Sequence, residues 1–171
     1  MRMTTVSLVT LALLVGAIQQ SIGQSNSSRV ANDKGITMKH HAKGAFDVKL
    51  QPLEAYNKNA DAGLGRMSID KQFHGELEAT SQGEMLYAGS AKGSGGYVAV
   101  ERVTGTLDGK RGGFSLQHNA TMTDGAPYLN IIVVPGSGTE ELTGLDGTMK
   151  IVIAEGGKHY YEFDYELAQQ P

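Results

Sequence analysis

Cysteine is missing from all 171 residues, which excludes disulfides, thiolate metal ligands and a lipid anchor attached through cysteine. Excess basic charge is missing too. Fifteen Lys and Arg stand against 18 Asp and Glu, for a net charge of -3, and no basic stripe offers the electrostatic footprint that nucleic acid needs. A spanning hydrophobic segment is also absent. The N-terminal apolar run, Val6 to Ile18, holds 13 residues, short of the roughly 20 required to cross a bilayer as a helix. No stretch reads as an amphipathic helix.

That apolar run has another use. Met1 to Thr5 form a short, positively charged lead, and Ser21-Ile22-Gly23 place small residues where a signal peptidase reads. Residues 1–23 are therefore expected to be a signal peptide cleaved before Gln24, leaving no stable membrane anchor. Residues 24–38, polar and rich in small side chains, are expected to be a flexible tether, and residues 39–171 a single β domain. Export without cysteine points to a bacterial envelope, so the expected location is periplasmic or secreted.

Beyond the tether the apolar period is two, and the 23 glycines punctuate it. Phe46, Val48 and Leu50 alternate with Asp47 and Lys49 as a first strand, with His40 and His41 ahead of it. Pro52 to Gly65 is irregular. Met67, Ile69, Phe73, Leu77 and Ala79 continue one alternation through Gly75, which reads as a bulge or barrel corner. Further strands are expected over Met85–Ala91, Tyr97–Leu107, Gly113–Met122, Tyr128–Val134, Thr148–Ile153 and Tyr160–Leu167. Asp108-Gly109 is a tight-turn signal. Short hairpins without long crossovers favour a closed all-β barrel, which also removes exposed sheet edges.

Several blocks taken together are similar to a bacterial family, the domain of unknown function 3224. They are Arg66 to Ser81, Gly96 to Leu107, Gly113 to His118 and Pro135 to Thr139, in that order. The likeness runs from about Lys39 to Leu167. It implies a closed antiparallel eight-stranded barrel of the allene-oxide-cyclase-like type, and homo-oligomers. A second likeness lies in Gly136-Ser137-Gly138 followed by Leu142 to Gly147, which resembles the glycine-rich turn of allene oxide cyclases and dirigent proteins. There Glu140 stands where glycine is common.

Chemistry-bearing signatures are few. His40, His41, His74, His118 and His159 form no recognised zinc spacing, and no metal, cofactor or catalytic residue is assigned. Gly105 to Lys110 lacks the frame of a phosphate loop, and no helix follows it. The informative residues are polar ones in phase with apolar ones. Lys71 lies between Ile69 and Phe73, His118 follows Phe114 and Leu116, and His159 precedes Tyr161, Phe163 and Tyr165. A buried amine must find a partner or lose its proton, and Glu78 and Glu101 are the expected partners for Lys71. The candidate ligand-binding residues are thus Lys71, Glu78, Glu101, His118 and Tyr161, in an apolar lumen with a few polar groups. Three readings stay open: a binding module for a small hydrophobic or amphipathic molecule, a cofactor-free isomerase or cyclase by fold analogy, and a structural or envelope interaction protein with a filled core.

Overall fold

The computed structural model describes residues 37–58, 63–89 and 93–168. The expected signal peptide and nearly all of the expected tether lie outside the described residues. Eight antiparallel strands follow one another around a closed barrel in chain order, with the last pairing to the first. They are β1 (Thr37–Leu53), β2 (Leu64–Phe73), β3 (Leu77–Gly89), β4 (Gly95–Leu107), β5 (Lys110–Thr123), β6 (Ala126–Val133), β7 (Asp146–Ile153) and β8 (His159–Ala168). Single 3-10 turns sit at Glu140–Leu142 and Glu155–Gly157. No helix among the described residues is long and apolar enough to cross a membrane.

Turn chemistry fixes the register. The β4–β5 hairpin closes on Asp108-Gly109 and the β5–β6 hairpin on Asp124-Gly125, all four residues at positive φ. That is the backbone twist two-residue hairpin loops require. The register then carries alternate side chains inward on every strand. On β8 the inward set is Tyr161, Phe163, Tyr165 and Leu167, all buried, while Tyr160, Glu162, Asp164 and Ala168 face solvent.

One end of the barrel is packed solid. Phe73, Leu77, Val103, Leu107, Phe114, Leu116, Tyr161 and Phe163 are each at most 1% exposed. Their rings stack or meet edge to face, as in Phe114–Phe163 stacked at 5.6 Å and Phe73–Tyr161 edge-on at 5.6 Å. Beneath them the β6–β7 connection folds across the opening and buries Leu142 and Leu145. Arg102 holds this connection from the barrel wall, donating to Ser137 O at 2.7 Å and to Thr139 Oγ1 at 3.1 Å.

Three local expectations are corrected. The first strand starts at Thr37 rather than near Phe46, so His40 and His41 lie within β1 and the barrel takes in the last two positions of the expected tether. The alternation from Met67 to Ala79 is not one bulged strand. It is two strands joined by a turn at His74–Glu76, where Gly75 has φ 102. Leu77–Gly89 is a single strand, with no break ahead of Met85. Gly83 lies mid-strand because Glu101 packs directly across it, and a Cβ there would stand 2.6 Å from Glu101 Cβ.

Candidate functional site

Four adjacent strands each send one polar side chain into the lumen: Lys71 from β2, Ser81 from β3, Glu101 from β4 and His118 from β5. The register makes this possible. Lys71 lies directly across from Ser81, Glu101 from Gly83, and His118 from Ala99, each position sharing the inward face of its strand. All four are buried, Glu101 to 1% exposure.

Glu101 is the hub. Its Oε1 accepts from Lys71 Nζ at 2.6 Å and from His118 Nε2 at 2.8 Å, and its Oε2 accepts from Ser81 Oγ at 2.5 Å. A carboxylate only accepts, so the His118 proton facing it sits on Nε2. The ammonium of Lys71 also lies over the rings of Phe46 and Phe73, at 5.3 and 5.6 Å. Burial alone would push the Glu101 carboxyl up. The hydrogen bond from His118 and the charge of Lys71 outweigh it and hold the carboxyl down at about 2. Tyr97, two residues before Ala99 on β4, has its ring 6.4 Å from that of His118. Burial first, and then the Glu101 charge, push its hydroxyl up. Among the described residues no buried side-chain nitrogen or oxygen lacks a hydrogen-bond partner.

On the side of this cluster away from the packed end, the inward positions remain apolar and become progressively exposed. Ile69 is buried, and Met67 and Met85 are half-buried. Leu50, paired with Ile69, is 46% exposed, and Leu129, paired with Ala120, is 38% exposed. The tetrad therefore separates a filled, ring-packed half from a looser apolar one. Among the described residues no group of three or more His, Asp or Glu side chains is gathered to hold a metal.

Of the residues expected at a site, Lys71, Glu101 and His118 come together. Glu78 does not join them: it faces outward across from Thr106, 57% of its side chain exposed, with the His74 ring 3.4 Å away. Its outward phase follows from the His74–Glu76 turn, which leaves Leu77 and Ala79 inward. Tyr161 is inside but in the packed half. Its hydroxyl accepts from Leu77 N at 2.8 Å and donates to His74 O at 3.2 Å, clamping the β2–β3 turn. Ser81 and Tyr97 were missed. Ser81 shares the phase of Leu77 and Ala79, and Tyr97 that of Glu101, so strand phase alone could have found both.

The family described as "Protein of unknown function (DUF3224)" matches residues 42–165, most of the barrel. The chain belongs to this family. A crystal structure of a DUF3224 protein of unknown function from Shewanella oneidensis MR-1 is 52% identical, with a TM-score of 0.71. It covers 79% of this chain and is itself covered over 100% of its length. No curated protein matches the chain. The glycine-rich connection of this DUF3224 barrel is the segment that closes its packed end. Glu140 there has φ 54, a left-handed conformation costing an L-residue about 1–2 kcal/mol, which is a physical reason for glycine at that position.

Proposed function

We propose that the barrel is a binding module for a small amphipathic molecule. Its apolar body would lie along Leu50, Met67, Met85 and Leu129, and its polar head would face the Lys71–Glu101–His118 cluster. The observation that carries this reading is the arrangement of the cluster itself. A hydrogen-bonded ionic set is buried where inward apolar side chains on one side remain exposed, the make-up of a small-molecule pocket. The isomerase or cyclase reading is weaker on one physical ground. A carboxylate held at about 2 is a poor general base near neutral pH, since efficient bases sit close to the working pH.

Native mass spectrometry of the protein purified from its own host tests the proposal. A retained mass of a few hundred daltons, lost in Met67→Trp, is the expected result. Failure to retain or take up any apolar probe overturns it.

Export, self-association and the allene-oxide-cyclase-like type belong to the same proposal. The charge-free run Val6–Ile18 supports export. Leu86, Val98 and Val100, all more than half exposed on the outer wall of β3 and β4, support assembly with a second copy. The adjoining charges Arg66 and Glu84 are already paired at 2.5 Å, so two such faces could meet without unbalanced charge. Sedimentation velocity of wild type against Val100→Lys tests it, with a shift to monomer expected.

A further inference from the structure

We infer that the polar head this lumen accepts is uncharged, a carbonyl or a hydroxyl, and that a carboxylate or an amine on the same apolar body is rejected. This rests on the lumen-binding reading and goes beyond it by naming the ligand class.

Charge balance in the lumen sets this preference. Among the described residues, the buried acidic and basic side chains other than tyrosine are Lys71, Glu101 and His118. Lys71 and Glu101 stand 2.6 Å apart, and a neutral His118 donating to the same carboxylate adds no charge, so the cation a carboxylate would seek is already neutralised. An anion brought to the Lys71 ammonium arrives within a few ångströms of the Glu101 carboxylate as well. In a poorly solvated site attraction to one is offset by repulsion from the other, while the desolvation cost of the incoming charge stays in full. An incoming ammonium meets the mirror image. It would find Glu101 occupied by Lys71, His118 and Ser81, and the faces of Phe46 and Phe73 already taken by the Lys71 cation.

A neutral acceptor faces neither difficulty. The Lys71 ammonium carries three N–H donors, of which one is directed at Glu101 Oε1. A carbonyl or hydroxyl oxygen can accept another without disturbing the pair. Such a head also costs far less to desolvate than an ion.

The test is displacement of the neutral fluorophore N-phenyl-1-naphthylamine from the full chain by four ten-carbon compounds: 1-decanol, 2-decanone, decanoate and decylamine. The alcohol and ketone should displace the fluorophore at concentrations at least about tenfold lower than the two ions, equivalent to about 1.4 kcal/mol. In Glu101→Gln the carboxylate should gain on the alcohol, because Lys71 is then uncompensated. Decanoate displacing as well as decanol, or all four compounds acting alike, overturns the inference while leaving lumen binding intact. If the fluorophore itself does not bind, the binding proposal fails first and this inference with it. Should Glu101→Gln not fold, the wild-type ranking decides alone, and Lys71→Met supplies a second check by abolishing the ketone's advantage.

Discussion

On one side of Lys71 and Glu101 the inward residues are rings and leucines with almost no exposure, sealed beneath by Leu142 and Leu145. On the other side they are Met67, Met85, Leu50 and Leu129, half-buried or exposed. Both halves are lined by the same strands with the same alternation, so secondary structure does not separate them. What differs is side-chain volume and closure. Six buried aromatic rings, Phe46, Phe73, Phe114, Tyr161, Phe163 and Tyr165, pack together toward one end, and at the other no comparable set is buried among the described residues. The filled core and the proposed binding region thereby lie at opposite ends of one barrel, with the ionic tetrad at their boundary.

The packed half is the most sensitive to substitution. Phe163→Ala should cost about 3–5 kcal/mol, the range for emptying a buried aromatic site, read from the urea midpoint. At the boundary, Glu101→Leu strands a buried lysine and should lose about as much, about 3–5 kcal/mol. Adding Lys71→Met should return much of that loss, a coupling that a double-mutant cycle in the same urea titration measures. If the double variant is no better than the single one, the pair does not act as a unit.

Acid titration probes the same boundary. The Glu101 carboxyl is held at about 2 in the folded chain, against an ordinary value of about 4.3. Between these values the unfolded chain binds the proton first, so lowering the pH favours unfolding. The contribution is complete above about pH 4.5 and disappears as the pH falls through about 2. Glu101→Gln should flatten this limb of the melting temperature against pH. In the open half, Met67→Ala should cost no more than about 1–2 kcal/mol, since only part of its area leaves water on folding. Equal losses for Met67→Ala and Phe163→Ala would erase the distinction between the halves. The smallest effect is a gain: Glu140→Gly should raise stability by about 1 kcal/mol by relieving its positive φ, visible as a melting point a few degrees higher.

The barrel was legible because alternation is a direct consequence of the pleat. Phe114, Leu116 and His118, or Tyr161, Phe163 and Tyr165, can be read inward from spacing alone. The β2–β3 turn was hidden by the same rule. Its three residues, His74 to Glu76, carry the odd-numbered phase from Phe73 to Leu77 without a break, so two strands look like one. The length of β1 was hidden for a different reason: Lys39, His41 and Lys43 give its first half a charged outer face, and its inward positions include the small residues Ala42 and Gly44, which leave little hydrophobic signal. Lys71 and Glu101 could be proposed as partners from sequence because both fall in phase with apolar neighbours. The inward position of Ser81 follows from the same phase, but its partner does not, since a serine on a strand carries no mark of which ion it will meet.

The 17 residues of β1 have a kinetic consequence. Its first half, from Thr37 to Ala45, pairs with β8, its second half, from Asp47 to Leu53, pairs with β2, and Phe46 between them pairs with both. Every other seam of the barrel joins neighbours in sequence, whereas this one brings His41 to Asp164 across 123 positions. Loop closure of that length is entropically unfavourable before any contact rewards it. The hairpins from β2 to β5 are therefore expected to form early and the β1–β8 seam last, so substitutions along that seam should speed unfolding while leaving the folding rate nearly unchanged.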